Sequence, residues 1–200
     1  MNSFLQKDHY TSINLWKEIN LLTAEQIEVF SKGLKWTTEN LPDPVILGGT
    51  AVVHYLNRPR KLTPDLDFLV PSIDFVKSKL RDEKLTSKHL DDSFGNFLGY
   101  TVPELNTDFL DGNTGNIKLN KLILNTPHII TIGGYKVKVI PPELLSILKL
   151  ELGRDKDITD GFALLSSGTC DTDNYMSYIA LLGNTLQDYD SIAGYQKFIQ

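Results

Sequence analysis

The sequence predicts an α+β fold, in which helices flank a mixed β-sheet and a bundle of helices follows it. Three observations lead to this fold class. Residues 10–40 carry apolar side chains at helical spacing, residues 44–140 consist mainly of short β-rich runs, and the segment after "IPPE" has a helical pattern to the end. We therefore expect a sheet-containing domain with N-terminal helices over residues 1–142, and a helical region over residues 143–200 that packs on it.

The opening segment is predicted to form two helices. Apolar residues of the first helix recur at helical spacing, namely Ile13, Leu15, Trp16 and Ile19. Thr23 precedes the second helix, and Gln26 follows three residues later. This spacing is typical of a capping box, in which the two side chains satisfy backbone N–H groups at the helix start.

Short β-rich runs follow one another through the middle segment. They are "PVILGG", "DLDFLV", "NFLGYTV", "ELNTDFL" and the hairpin "HIITIGGYKVKVI", which turns on Gly133 and Gly134. Between the second and third runs, "PSIDFVKSKLRDE" has the pattern of a helix. After residue 142 the leucine and isoleucine side chains repeat at helical spacing again, beginning with Leu144, Leu145, Ile147 and Leu148.

Composition limits the class of protein. The chain has 200 residues, of which 41% are hydrophobic, enough for a packed core. Its formal net charge of −5 argues against binding nucleic acid through an overall positive surface. Cys170 is the single cysteine, so no intramolecular disulfide or cysteine zinc site is expected. We find no pattern of a signal peptide or membrane span and expect a cytoplasmic protein without a membrane partner.

Two aspartates interrupt the apolar run "DLDFLV". Alternate side chains of a strand share a face, so Asp65 and Asp67 are expected on one side and Leu66 on the other. Two neighbouring carboxylates repel each other, and a divalent cation such as Mg²⁺ relieves the repulsion while keeping positions for water and substrate phosphates. The same pair is also typical of a solvated strand end, so its surroundings must decide.

A glycine turn provides those surroundings. Gly48, Gly49 and Thr50 stand between the strand "PVIL" and the helix "TAVVHYL". Backbone N–H groups at such a helix start can bind an anion without obstruction by side chains. A tight strand-to-helix turn alone would also require glycine. Together with the aspartate pair, however, the turn predicts a site for a metal-bound nucleotide.

"GGTA" followed by "TPDLDFLV" resembles the nucleotidyltransferase superfamily typified by DNA polymerase β, especially small prokaryotic members related to abortive-infection toxin nucleotidyltransferases. The resemblance extends over about residues 44–165. It includes a downstream cluster in "ILKLELGRDKDITD", made up of Lys149, Arg154, Lys156, Asp157 and Asp160. Two departures concern the loop before the aspartates: a longer spacer after Gly49, and Lys61, preceded by Arg60, at the position of a basic residue.

The resemblance implies a catalytic domain over residues 1–142 and a third carboxylate on a later strand. Asp108 in "ELNTDFL" is our choice for this carboxylate. Asp111 stays open as an alternative, although it precedes Gly112 and has the pattern of a turn residue, and Glu104 after Pro103 fits less well.

The resemblance also implies a set of roles. Asp65, Asp67 and Asp108 would be the catalytic and metal-binding residues, with Mg²⁺ or Mn²⁺ as cofactor and a nucleoside triphosphate as substrate. Nucleotide-binding residues would come from the turn and the downstream cluster: Gly48, Gly49, Thr50, Lys149, Arg154, Asp157 and Asp160. Whether the last two acids contact the nucleotide or pair with the lysine stays open.

The expected reaction is transfer of a nucleoside monophosphate to a hydroxyl of an acceptor, with Asp108 as general base. Family members modify tRNA, proteins or small molecules, so all three acceptor classes stay open, as does a role as the toxin of a pair with an antitoxin partner. A non-catalytic nucleotide-binding or protein-interaction relative is the alternative. A phosphatase of the haloacid-dehalogenase type fits less well, because Leu69 stands where that motif has Thr or Val.

Overall fold

The structure is a computed structural model that describes residues 13–56, 61–92 and 95–200. Its helices are α1 (Ile13–Asn20), α2 (Ala24–Asn40), α3 (Gly48–Tyr55), α4 (Ile73–Asp82), α5 (Ile117–Asn125), α6 (Pro142–Leu152), α7 (Asp155–Leu165), α8 (Thr172–Leu182) and α9 (Tyr189–Gly194). Its strands are β1 (Val45–Ile46), β2 (Leu66–Val70), β3 (Lys88–Asp91), β4 (Phe97–Val102), β5 (Thr107–Asp111), β6 (His128–Ile132) and β7 (Tyr135–Val139). Residues 10–12 of the predicted first helix and Arg60 of the predicted loop lie outside the described residues.

The strands of the described residues form a seven-stranded mixed sheet in the order β3-β4-β5-β2-β1-β7-β6. Strands β2 and β5 are parallel, as are β1 and β7, whereas the other neighbours are antiparallel. Strand β1 has two residues and lies between β2 and β7. The predicted fold class, a mixed sheet flanked by helices with helices at the C-terminal end, is confirmed.

Local sequence signals account for several element boundaries. The Thr23 side chain accepts a hydrogen bond from the Gln26 N–H at 3.2 Å, and the Gln26 side chain accepts one from the Thr23 N–H at 2.9 Å, so the predicted capping box is present. Gly133 and Gly134 have φ of 57° and 86°. Two successive positive φ values are typical of the tight turn of a β-hairpin, and glycine adopts them readily. The Gly-Gly pair therefore predicts this hairpin from the sequence.

The two faces of the sheet are covered differently. On one face, Phe68 and Phe109 are fully buried with ring centroids 6.1 Å apart, and Trp36 of α2 packs on Phe109 at 5.7 Å. The Trp36 indole also donates a hydrogen bond of 2.6 Å to Glu83 at the end of α4. Because side chains alternate along a strand, Asp67 and Asp108 point to the opposite face. Helix α3 packs against β2.

The C-terminal helices pack onto the sheet-containing part rather than beside it. Helix α6 contacts α3 and α5, and α7 contacts both α6 and α3. Buried side chains of both parts, for example Val52 and Leu164, belong to one hydrophobic cluster. The boundary between residues 142 and 143 stays a prediction. Within the described ranges we find no helix with both the length and the apolar composition needed to cross a bilayer.

The structure contains two elements that the sequence pattern did not predict. Strand β3 has the sequence "KHLD" and is largely exposed, so it carries no alternation of apolar and polar residues; pairing with β4 defines it. Helix α5, "IKLNKLILN", buries Leu119 and Ile123 and begins after Asn116, whose side chain accepts a hydrogen bond from the Leu119 N–H at 3.1 Å. Its short amphipathic pattern was hidden among the β-rich runs.

Candidate active site

Asp67 and Asp108 are brought side by side by the sheet. They are register partners on the parallel strands β2 and β5, and both side chains are half-buried. Neighbouring strands lie about 4.8 Å apart, and paired residues project to the same face. The next residues, Phe68 and Phe109, are also register partners and are fully buried on the opposite face of the sheet. Their burial stabilises this register. The structure therefore holds two carboxylates together on one face.

Asp65 lies one residue before β2, which begins at Leu66, so the prediction that the strand includes Asp65 is wrong by one position. The residue is exposed. Its charge nevertheless raises the pKa of both Asp67 and Asp108, although less than burial does. All three predicted carboxylates therefore interact electrostatically.

The glycine turn is part of helix α3 rather than a loop before it. The helix begins at Gly48, which has a φ of 58°, whereas the sequence pattern placed the helix start at Thr50. A Cβ atom at Gly48 would lie 1.7 Å from Oδ2 and 2.6 Å from Cγ of Asp67. The Leu47 N–H donates a hydrogen bond of 2.8 Å to the Asp67 carbonyl. The first residue of α3, which follows β1, therefore lies directly against the Asp67 carboxylate. Only glycine at position 48 leaves room for this carboxylate.

Thr50 is predicted to bind an anion through its backbone N–H group, and that role stays a prediction. Its side chain is 1% exposed, and its hydroxyl has no hydrogen-bond partner among the described residues. What the first turn of α3 offers to an anion is therefore its backbone N–H groups.

The positive charge near Asp67 and Asp108 does not offset the effects of burial and of like charge on their pKa values. The pKa of Asp67 is raised to about 6 by burial and by the charges of Asp65 and Asp108, against the opposing effect of Lys149 and Lys156. The pKa of Asp108 is also raised, first by burial and then by Asp65, while a hydrogen-bonding interaction with Thr101 opposes the rise. Added positive charge would therefore stabilise the ionised form of this group of side chains.

The carboxylate oxygens of this site suit a hard cation, such as Mg²⁺, that retains some of its water ligands. No three histidine, cysteine, aspartate or glutamate side chains in the described ranges stand close enough together to hold a metal ion. Mg²⁺ does not require such a cage, since proteins commonly hold it by one or two carboxylates together with water and substrate phosphates. Asp67 and Asp108, crowded with like charge, fit that mode of binding, with Asp65 beside them.

The other candidates for the third carboxylate lie elsewhere. Asp111 pairs with Val70 at the far end of β5 and accepts hydrogen bonds from the backbone and side-chain nitrogens of Asn113, each at 3.1 Å. Glu104 is exposed and accepts hydrogen bonds from the backbone and hydroxyl of Thr86. Asp111 therefore serves the turn that follows β5, and Asp108 is the candidate beside Asp67.

The downstream cluster forms a buried ion-pair network between α6 and α7. The Lys149 ammonium, 7% exposed, lies 2.6 Å from Asp157 and 4.0 Å from Asp160. Arg154 bonds the second oxygen of Asp157, whose side chain is fully buried. Burial alone would raise the pKa of Asp157, but the hydrogen bonds and charges of Lys149 and Arg154 outweigh it and lower the pKa. Asp157 is thus the ion-pair partner of the lysine, one of the two roles that the sequence left open.

Sequence reasoning did not assign two side chains that act on the carboxylates. Thr101 is the register partner of Asp108 on β4, and only the strand pairing could identify it. Lys156 belongs to the cluster after α6 that the sequence indicates, but its residue type alone does not distinguish it from Lys149 and Arg154. The structure separates them, because the latter two are bonded to Asp157.

Comparison with known proteins finds similarity to a family model and to solved structures. Residues 97–168 match a family model described as "Nucleotidyl transferase of unknown function (DUF2204)". The matched segment includes Asp108 and Lys149, but it begins after the glycine turn and after the Asp65–Asp67 pair. A solved structure, an antigenic nucleotidyltransferase-like protein from Paracoccidioides brasiliensis, is similar with 17% identity and a TM-score of 0.47, covering 94% of each chain.

No curated protein matches the chain. Over residues 97–168, therefore, the chain is similar to a nucleotidyl transferase family whose function is unknown.

Proposed function

We propose that this chain is a metal-dependent nucleotidyltransferase that moves a nucleoside monophosphate from a nucleoside triphosphate to a hydroxyl of an acceptor. The observation that carries the proposal is the pairing of Asp67 with Asp108 on parallel strands, directly against the first turn of α3. Carboxylates for a cation and backbone donors for phosphate then stand at one place. The match of residues 97–168 to a nucleotidyl transferase family supports the same reaction class.

Each residue has a stated role in this reaction. Asp67 and Asp108 would hold Mg²⁺ or Mn²⁺, with the charge of Asp65 beside them, and the cation would supply charge neutralisation for the triphosphate. Asp108 accepts the proton of the acceptor hydroxyl. The hydroxyl oxygen forms a bond to the α-phosphorus, and the bond from that phosphorus to the bridging oxygen breaks. Pyrophosphate leaves with the electron pair of the broken bond.

A labelling experiment tests the proposal. The protein is incubated with each α-³²P-labelled nucleoside triphosphate, Mg²⁺ and cell extract separated into RNA, protein and small-molecule fractions. We expect label in one fraction together with pyrophosphate release. Asp108→Asn should lower transfer by about 10²-fold or more, as expected for loss of a positioned base. Asp111→Asn is the matched control, because Asp111 lies on the same strand away from Asp67, and it should retain transfer. Equal loss in both variants would contradict the role of Asp108.

Nucleotide binding without catalysis is the alternative function, and the same labelling experiment tests it. A protein of this second kind would bind nucleoside triphosphates but release no pyrophosphate with any fraction. That outcome would replace the transferase proposal by the binding one.

The proposal also includes an acceptor class and a cellular role. Both are motivated by the family resemblance of the sequence. The fraction that takes up label identifies RNA, protein or a small molecule as the acceptor. For a toxin with an antitoxin partner, expression of the wild-type chain should arrest growth, and Asp108→Asn should not. Unimpaired growth with an active wild-type enzyme would contradict the toxin role.

A further inference from the structure

A row of paired residues crosses the sheet from the candidate site to the edge strand β3. Asp67 of β2 pairs with Asp108 of β5. Asp108 pairs in turn with Thr101 of β4, and Thr101 pairs with Lys88 of β3. The irregularity of the β3–β4 pairing lies at the opposite end of β3. Residues paired in this way project to the same face, so Lys88 stands on the carboxylate face, two strands and about 10 Å from Asp108 between Cα atoms.

The two sides of the carboxylate pair differ. On the β1 side, the first turn of α3 lies against Asp67, where a Cβ atom at Gly48 would be 1.7 Å from Oδ2. On the other side, the face continues over β4 to β3, the edge of the sheet in the described ranges. In an in-line displacement the attacking and leaving oxygens lie on opposite sides of the phosphorus. With the outer phosphates at α3, the acceptor therefore approaches Asp108 over β4 and β3.

Lys88 is a cation on this approach. It is exposed and makes no ion pair with any residue in the ranges 13–56, 61–92 and 95–200. The next residue, His89, pairs with Tyr100 on the opposite face, and their ring centroids are 5.5 Å apart. This contact holds β3 in the orientation that presents Lys88 beside the carboxylates. A lysine on an edge strand also discourages pairing with other chains, a role that does not involve the carboxylates and that a test must separate.

From this placement we propose that Lys88 binds a phosphate group of the acceptor, next to the hydroxyl that attacks the nucleotide. The proposal rests on the proposed transferase function and narrows its acceptor to a phosphate-bearing molecule, either the end of an RNA strand or a small phosphorylated compound. A lysine ammonium on its flexible four-carbon stem binds phosphate as a point charge. Because the chain has a net charge of −5, this local cation is expected to make a single phosphate contact rather than to follow a long nucleic acid.

Acceptor kinetics test the assignment, with total cellular RNA and the small-molecule fraction of cell extract as probes. Transfer of labelled nucleoside monophosphate is measured against the concentration of each probe. Lys88→Gln should raise the acceptor KM by about tenfold or more, the usual size of a lost charged hydrogen bond, and retain kcat at saturating acceptor. Lys88→Arg should keep most of the wild-type affinity. Calorimetry with Mg²⁺ should give wild-type affinity of Lys88→Gln for nucleoside triphosphate, because Lys88 lies on the acceptor side.

Two controls accompany these measurements. Lys35→Gln removes the same charge from an exposed position on α2, the helix that covers the opposite face, and should behave as the wild type. With RNA as acceptor, the slope of log KM against log KCl concentration should decrease by about 0.7–1 in Lys88→Gln and stay unchanged in Lys35→Gln. Treatment of the small-molecule fraction with a phosphatase should abolish transfer to that fraction.

The possible results are distinguishable. An unchanged acceptor KM in Lys88→Gln, while the wild type transfers label, overturns the role of Lys88 alone, and aggregation of that variant would then assign the lysine to protection of the edge strand. Weaker binding of triphosphate by Lys88→Gln also overturns it. Label in the protein fraction alone, or transfer to small molecules that survives the phosphatase, overturns the phosphate-bearing acceptor. A wild-type protein that labels no fraction and releases no pyrophosphate overturns the transferase function and this assignment together.

Discussion

Gly48→Ala tests the contact on which the candidate site is built. The new Cβ would lie 1.7 Å from Oδ2, 2.6 Å from Cγ and 3.0 Å from Cβ of Asp67, so rotation of the carboxylate alone cannot clear it. The φ of 58° adds the cost of a left-handed conformation, about 1–2 kcal/mol for a residue with a side chain. Relief of the overlap adds about 1–3 kcal/mol, as in other overpacked sites. We therefore expect unfolding free energy to fall by about 2–5 kcal/mol.

A matched control separates the two contributions. Gly168 also has a positive φ, 74°, but no atom lies within 4 Å of a Cβ built there. Gly168→Ala should therefore cost only the backbone part, about 1–2 kcal/mol. Both variants are measured by urea denaturation with the metal removed by a chelator, so that loss of ligand binding does not enter the comparison.

A double-mutant cycle supplies the refutation. In an Asp67→Ala background the added methyl group of Gly48→Ala has no carboxylate to displace, so its cost should fall to the backbone part. We expect a coupling energy of about 1–3 kcal/mol between the two positions. Additive effects within about 0.5 kcal/mol would show that Gly48 does not make room for Asp67, and the geometric basis of the site would be lost.

Two further predictions concern charge. In the metal-free protein, the pKa of Asp67 rises from 3.8 to about 6 on folding, so the folded state holds this proton more tightly. The free energy of unfolding should therefore fall by at most about 3 kcal/mol as pH rises from about 4 to about 6. Denaturation of Asp67→Asn across this range should lack that part of the slope, and an identical slope would contradict the burial of the carboxylate. Lys149→Met should cost about 3 kcal/mol in the same assay because it leaves buried Asp157 under-compensated, whereas Lys138→Met, which breaks a pair with exposed Asp43, should cost at most about 1 kcal/mol. Similar losses in the two lysine variants would refute the ranking.

The elements that were readable from the sequence are those specified by nearby residues. Thr23 and Gln26 set the start of α2 through contacts three residues apart, and the Gly133–Gly134 pair sets the hairpin turn. Strand β3 was not readable, because an exposed edge strand with the sequence "KHLD" depends on β4 for its definition. Local chemistry cannot indicate an element whose hydrogen bonds are all made to a distant partner.

The candidate site divides in the same way. The pattern around Asp67 indicated a carboxylate site, but the choice between Asp108 and Asp111 depends on the register of two parallel strands some forty residues apart in the chain. Likewise the sequence left the role of Asp157 open, since only the packing of α7 on α6 brings it 2.6 Å from Lys149. Roles set by register and helix packing require the folded chain.

The short central strand has a consequence for the order in which the chain folds. Val45 and Ile46 of β1 pair with β2 on one side and with Lys138 and Val139 of β7 on the other. During synthesis β2 follows β1 closely, but the second partner leaves the ribosome about ninety residues later, and pairings between such distant segments close slowly. Until then β1 is an open edge able to pair with other chains. We therefore expect closure of the sheet by β7 to be a late step of folding, and a nascent chain that stalls before residue 135 to aggregate more readily than one that includes β7.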